Sequence, residues 1–296
     1  MKKSAQACRF AVIGGSGLYD LEGIADVSEH RIRTPFGDPS GAVVLGTIAG
    51  VRCAFLPRHG RGHVLLPSEV NSRANIWALK SLGVQRILAM TAVGSLREEL
   101  APRHFVFPDQ LVDETRGRRQ TFFGEGVVAH VAFAHPFCAE VSDLLHAEAG
   151  KLGLTVHRGG TYICMEGPAF STKAESDMHR RLGYSIIGMT ALGEAKLARE
   201  AEICYSTVAM VTDFDCWKEE DEVSAGKVVA HMIANVANAR RLIAAALPRL
   251  AAAERRCGCA HALRGAIFTQ PKAMDPKTVR RLELLIGKYV SQEVTP

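Results

Sequence analysis

Short apolar runs alternate along the chain with longer segments in which apolar residues recur every three or four positions. The runs Phe10 to Ile13, Ala42 to Leu45, Cys53 to Leu56, Arg86 to Thr91, Phe105 to Phe107, Gly160 to Met165, Ser185 to Met189 and Ser206 to Val211 have the length and composition of strands. The unbroken hydrophobicity of Ser206 to Val211 is that of a parallel strand covered on both faces. Helices are predicted over Asn71 to Leu82, Cys138 to Leu152, Lys173 to Leu182, Ala191 to Ala201 and Ala225 to Leu247. A further amphipathic helix is expected after Pro276, where Val279, Leu282, Leu285, Ile286 and Tyr289 share a face. A hairpin-like turn is expected around Pro35 to Pro39. This rhythm predicts an α/β fold: a single domain with a central mixed, largely parallel sheet flanked by helices. The main domain is expected over residues 8–250, with a C-terminal extension over 251–296 packed on the same domain.

With 296 residues and 47% apolar content the chain can bury a large core. Thirty-six basic against 31 acidic residues give a net charge of +5, scattered in clusters such as Arg116, Arg118 and Arg119, or Arg255 and Arg256. That is too weak a field to imply nucleic acid, yet it suits an anionic small substrate. No uncharged apolar run reaches the ~18 residues of a membrane span, and no signal-peptide core follows Lys2 and Lys3, so a cytoplasmic protein without membrane partners is expected. Most of the eight cysteines are dispersed through strands and helices, as small buried hydrophobes are. Cys257-Gly258-Cys259, with His261 nearby, is the exception. Zinc there would need a fourth ligand at suitable spacing and none is evident, so no metal is expected. Two free thiols or a bridge are the alternatives.

Polar residues gather where the apolar runs stop. Gly14-Gly15-Ser16-Gly17 follows the first strand and offers backbone N–H groups and a hydroxyl to an anion. It is not a dinucleotide fingerprint, because Asp20 stands where the third glycine belongs. Pro57-Arg58-His59-Gly60-Arg61-Gly62-His63 follows another strand, bringing a guanidinium fork and a histidine donor whose charge depends on pH; the alternative is a solvated basic loop. Thr91-Ala92-Val93-Gly94-Ser95 and Met189-Thr190-Ala191 each add a hydroxyl, which could equally cap a following helix. Without a P-loop lysine motif, these donors point to free phosphate or a simple phosphoryl group. Thr212-Asp213-Phe214-Asp215 closes the strand ending at Val211. Carboxylates at such a strand end can hold a polar ligand, although one acid could instead cap a helix beginning near Glu219 while the other is solvated. Phe170, in Met165-Glu166-Gly167-Pro168-Ala169-Phe170-Ser171, could lie against a flat heterocycle or simply join the core. No serine sits in a nucleophile elbow.

Together these segments, with the helix Asn75-Ile76-Trp77-Ala78-Leu79-Lys80, the run Gly94-Ser95-Leu96-Arg97-Glu98-Glu99 and Cys216-Trp217, resemble the trimeric purine nucleoside phosphorylase family over most of residues 10–245. The resemblance implies phosphorolysis of methylthioadenosine to adenine and 5-methylthioribose 1-phosphate, with inorganic phosphate as co-substrate and no cofactor. It implies a phosphate cradle of Ser16, Arg58, His59, Thr91, Ala92 and Thr190, and Met189 against the ribose. Ser171, Asp213 and Asp215 then face the base, Asp213 and Ser171 as the catalytic pair. Ala225, Val228 and Val229 are implied near the 5′ substituent, with His63 nearby and His130 reaching in from an adjacent subunit of a homotrimer or dimer of trimers. The tail resembles the cysteine-rich tails of some archaeal members, in which Cys138 and Cys204 also fall at positions that can be bridged. Adenosine or a 6-oxopurine nucleoside is the alternative substrate, and a nonenzymatic purine-binding protein the alternative of another class.

Overall fold

The computed structural model describes residues 8–15, 23–218 and 225–290, and the side chains of all of these except 225–228. Eleven strands form one sheet: β1 (Phe10–Gly14), β2 (Ala25–His30), β3 (Val43–Ile48), β4 (Val51–Pro57), β5 (Arg86–Ser95), β6 (Phe105–Phe107), β7 (Gln110–Asp113), β8 (Val156–Arg158), β9 (Thr161–Cys164), β10 (Ile186–Gly188) and β11 (Cys204–Asp213). The helices are α1 (Ser72–Ser81), α2 (Ala139–Lys151), α3 (Lys173–Arg181), α4 (Ala191–Glu200), α5 (Ala225–Ala252) and α6 (Pro276–Val290). Six strand pairings are parallel and four antiparallel, so the sheet is mixed and largely parallel.

Successive side chains of a strand point to opposite faces, and β1 shows the result. Ala11 and Ile13 enter an apolar layer with Leu56 and Leu79, while Phe10 and Val12 enter the opposite layer with Phe55 and Leu88. The C-terminal extension joins both layers: Leu263, Leu282, Leu285 and Ile286 complete the first, and Cys259 the second. Burying each such Leu or Ile stabilises by roughly 1.5–3 kcal/mol, so the extension is part of the same body.

Three differences from the sequence-based expectations have physical causes. β2 was hidden because it is a polar edge strand, ADVSEH, paired only with β3 and largely exposed. α5 does not stop before Pro248 but runs on to Ala252. Beyond the proline, Leu250 is buried, and the Arg86 guanidinium donates to the Leu250 and Ala253 carbonyls, satisfying acceptors at the helix end. β11 extends beyond Val211, because Asp213 pairs with Gly94 after a register irregularity.

The pairing of β5 opens the crevice. β1 follows β5 only as far as Ile13 opposite Ala89, and β10 meets it again at Ile187 opposite Gly94. β11 accompanies β5 from Arg86 to Gly94. Residues 90–93 of β5 therefore lie between the end of one partner and the start of the next, the kind of discontinuity at which open α/β sheets bind ligands.

At the far end of β11 the cysteine expectation is corrected. Cys257 and Cys259 are not short of partners: Cys138, at the N-cap of α2, and Cys204, the first residue of β11, bring their sulfurs into the same group. Linear spacing could not show this, because the four come from three separate elements.

Candidate active site

A cavity of about 410 Å³ opens at this discontinuity. Gly15 after β1, Arg58 and His59 after β4, Met90 to Gly94 within β5, Met165 after β9, Met189 and Thr190 after β10, Thr212 and Asp213 of β11 and Asp215 just beyond it all line it. Arg58 and Asp213 thus share one space, a basic group at one wall and a carboxyl at another.

Arg58 is buried, and its charge is held by a partner that sequence reasoning missed. Its Nε donates to Glu194 Oε1 at 2.6 Å, its Nη2 to Glu194 Oε2 at 3.0 Å and its Nη1 to the Met90 carbonyl at 2.7 Å. The Tyr205 hydroxyl donates to the same Glu194 at 2.9 Å. Burial works against the guanidinium's charge, but Glu194 outweighs it and keeps the group protonated above its ordinary range. A guanidinium has five N–H donors, so these three bonds leave donors for an oxyanion. Glu194 lies on α4, whose N-cap, Thr190, makes no side-chain capping bond. The Thr190 hydroxyl is therefore not spent on the helix, and the positive end of the helix dipole lies at the cavity. Thr91 directs its hydroxyl to the Ala92 carbonyl at 3.3 Å.

His59 behaves differently from a freely titrating donor. Burial, then the Arg58 charge, push its pKa down to about 4. Its Nδ1 lies 2.9 Å from the Leu65 carbonyl, an acceptor, so in the neutral ring Nδ1 carries the hydrogen and Nε2 is a lone-pair acceptor. Such a ring matches the P–OH of hydrogen phosphate, or takes a proton when an anion arrives. His63 stacks on it with centroids 4.4 Å apart and also lines the cavity.

At the opposite wall, Asp213 accepts from the Thr212 hydroxyl at 2.7 Å and from the Asp215 N–H at 2.9 Å. Burial raises its pKa against these two bonds. The reading that one acid of the pair is merely solvated does not hold: Asp215 is buried and its Oδ2 has no hydrogen-bond partner. Leaving such an acceptor unmet costs about 1–3 kcal/mol, so a ligand donor has a reward waiting there. Asp215 adopts φ +51°, the left-handed region Asp tolerates better than most residues. The close fit depends on Gly94, since a Cβ there would stand 2.9 Å from Asp213 Oδ1.

The remaining wall is apolar and rich in sulfur. Met90, Met165, Met189, Met210 and Met232 line the cavity, five of the eight methionines, and they offer polarisable contacts to a flat ring. Met189 was anticipated; the other four were not, because a methionine inside an apolar strand (Met90, Met210), just after one (Met165) or on a helix (Met232) reads as core. Arg118, seen in the sequence only as part of a basic cluster, is a positioning residue. Its Nη1 donates to the Met189 carbonyl at 2.5 Å and its Nε to Glu166 at 3.1 Å, tying together the loops that carry Met165 and Met189.

Phe170 is not a core residue: it is 63% exposed at the cavity's edge. Ser171 is buried just behind the wall, its Oγ 3.9 Å from Met165 Sδ. Val229 is 52% exposed and outside the cavity lining, and His130, exposed and ring-to-ring with Phe268, does not reach the cavity of its own chain. Ser16 and the side chains of Ala225 and Val228 lie outside the described residues.

A buried guanidinium and a half-buried acid thus line one cavity at a break in the pairing of the sheet. The chain belongs to the phosphorylase superfamily, whose family model matches residues 9–248. It is 57% identical to the S-methyl-5′-thioadenosine phosphorylase of Geobacter sulfurreducens over 94% of this chain and 98% of that one. The fold matches the crystal structure of a methylthioadenosine phosphorylase from an Antarctic soil metagenomic library with a TM-score of 0.91, at 47% identity over 94% of this chain and 99% of that one. It also matches a mutant adenosine/methylthioadenosine phosphorylase of Schistosoma mansoni in complex with adenine, with a TM-score of 0.79, at 40% identity over 83% and 93% of the two chains.

Proposed function

We propose that the protein catalyses phosphorolysis of 5′-methylthioadenosine, releasing adenine and 5-methylthioribose 1-phosphate. The observation that carries this reading is the single cavity shared by Arg58 and Asp213, supported by relatives of that name. Phosphate sits among Arg58, His59, Thr91, Ala92 and Thr190, with Ser16 completing the cradle. One phosphate oxygen bonds to C1′ of the ribose as the C1′–N9 bond breaks, and the bond's electron pair leaves with the purine.

Charge decides what each wall does. The ribose becomes cationic, so the bound phosphate stabilises it as well as attacking it; the purine becomes anionic and needs a proton. Asp213, whose burial favours the protonated carboxyl, gives that proton to N7. Asp215 Oδ2 accepts from the 6-amino group, which is the donor its unmet position calls for. A 6-oxo group there would leave two acceptors facing each other, at a cost of roughly 1–3 kcal/mol. Met189 packs on the ribose, Phe170 on the base, and Ser171 supports the base end by holding the Met165 loop. Phosphate is the co-substrate, and the reaction so read asks for no cofactor.

The 5′ group is the least constrained part. Val229, with Ala225, Val228 and His63, suits an apolar methylthio substituent, while His130 comes from a neighbouring subunit. That reading makes a homotrimer, or a dimer of trimers, the working form, and the exposed Val64, Leu66, Phe170, Val229 and Ile233 supply apolar surface for such contacts. No helix among the described residues is long and apolar enough to cross a membrane. The proposed products, a free purine and a methylthio sugar phosphate, suit a role in purine and methionine salvage, and the reading takes the cytoplasm as the compartment. The test is adenine release from methylthioadenosine with and without phosphate, beside adenosine and inosine. Release only with phosphate, fastest for methylthioadenosine, is expected; equal release without phosphate would replace the reading by hydrolysis, and none at all by simple purine binding.

A further inference from the structure

The four sulfurs at the amino end of β11 have no part in that chemistry. Cys204 opens the strand that Asp213 closes, ten residues long, so the two sites lie about 30 Å apart at ~3.3 Å per residue. Yet the sulfurs of Cys138, Cys204, Cys257 and Cys259 all lie within 4.8 Å of one another, and three of the four residues are buried. We propose that these four cysteines form a tetrathiolate site for a divalent metal ion of the zinc class, fastening the C-terminal extension to the strand that carries the catalytic acid.

The geometry is that of a closed tetrahedral cage. Zinc bound at ~2.3 Å to four sulfurs places them about 3.8 Å apart; Cys204 and Cys257, at 3.3 Å, already stand inside that separation without being bonded. The ligands arrive from the N-cap of α2, the start of β11 and the turn Cys257–Cys259 after α5. Cys138 caps α2 without a side-chain bond to the helix, leaving its sulfur to the cluster. Four sulfur ligands and no oxygen donor select a soft thiophilic ion over magnesium or calcium. No ligand position remains open, so the role is structural.

Zinc with four thiolates carries two negative charges, the four thiol protons passing to solvent as the metal binds. Arg255 meets part of that charge: its Nε donates to Cys204 Sγ at 3.1 Å, and its Nη2 is fixed on the Glu202 carbonyl at 2.6 Å. An oriented donor on a ligand sulfur is what tunes a metal-thiolate site from outside. Glu202 also accepts from Leu263 N–H at 3.2 Å, from Lys288 at 2.5 Å and from Tyr289, so the same corner already gathers three further anchors of the extension.

Full-length protein purified without chelator or added thiol is analysed for metal content, and its thiols are counted after denaturation in chelator. The proposal expects about one zinc per chain and all eight thiols titratable. Replacing zinc by cobalt should give the intense visible bands of tetrahedral cobalt thiolate. Cys257→Ser with Cys259→Ser should lose the metal and the cobalt band and lower the melting temperature while leaving the turnover number unchanged; Cys53→Ala, in the core away from the cluster, should keep the metal, the cobalt band and the turnover number. Metal-free protein with eight thiols would overturn the proposal, as would four thiols, the count left by two bridges. Both readings are made on the unaltered protein, so misfolding of a variant cannot mask them, and neither depends on which nucleoside is cleaved.

Discussion

The two ends of β11 do opposite things with buried reactive side chains. At the carboxyl end, Asp213 and Asp215 are only partly satisfied: one is raised in pKa by burial and the other leaves an oxygen without a partner. At the amino end, Cys204 meets three other sulfurs and an arginine, and Glu202 two positions earlier takes an amide, an ammonium and a phenol. A binding site keeps unmet polar atoms because a ligand will meet them; a structural corner meets its own. The strand between, buried along nine of its ten positions, holds both ends rigidly in place.

The largest effect is expected at Glu194, beside the cavity, where both carboxylate oxygens are engaged. Glu194→Gln removes the carboxylate that compensates the buried Arg58. Breaking such a pair costs about 3–5 kcal/mol, and the loosened guanidinium should raise the phosphate KM some 10- to 100-fold. Thermal unfolding with and without phosphate, together with initial rates against phosphate concentration, checks both effects. A variant as stable as the parent with the same phosphate dependence would show that Glu194 neither holds Arg58 nor shapes the cradle.

A smaller and purely chemical effect is expected at Asp213. Asp213→Asn keeps the size of the side chain; its one oxygen can still accept from the Asp215 N–H, and the Thr212 hydroxyl, which donates to the other carboxylate oxygen, can turn to accept from the amide, so stability should change by only about 1 kcal/mol. Losing the acid should lower the turnover number on methylthioadenosine by roughly 100-fold or more, while 6-oxopurine nucleosides gain relative to it because an amide placed at N7 can donate to the adjoining O6 as well. Parallel assays on both substrate types decide the matter; an unchanged preference would remove Asp213 from the base contact.

These two residues also mark what could be read before the fold was seen. Asp213, Arg58 and Thr190 directly follow or end apolar runs, and a strand end is both a pattern in sequence and a place in space. Glu194 has no such signal. It stands 136 residues from Arg58, inside a helix where an acid reads as solvated, and only the packing of α4 beneath the cradle makes it a partner. The cysteine cluster failed for the same reason: Cys257 and Cys259 were visible as a pair, but their companions belong to elements more than 50 residues away. Gly94 stood in the sequence only as part of the segment that follows an apolar run, not as the space Asp213 needs. Alternation and strand ends are local properties; compensation of buried charge is not.

The mildest test uses pH to separate the two ends. His59 has its pKa lowered from the ordinary 6.5 to about 4, so the unfolded chain binds its proton more readily than the folded one. Its contribution to stability is therefore fully present above pH 6.5 and is lost as the pH falls from 6.5 towards 4. Phosphate should oppose that loss, since an anion beside the ring favours the imidazolium and returns part of what acid removes. Melting temperatures between pH 7 and pH 4, with and without phosphate, should show a decline that His59→Gln flattens and that phosphate reduces only when His59 is present. The cysteine corner also yields to acid, by protonation of metal-bound thiolates, but phosphate has no purchase on it. A decline identical in the His59→Gln variant and indifferent to phosphate would leave the cavity histidine without a role in the acid sensitivity.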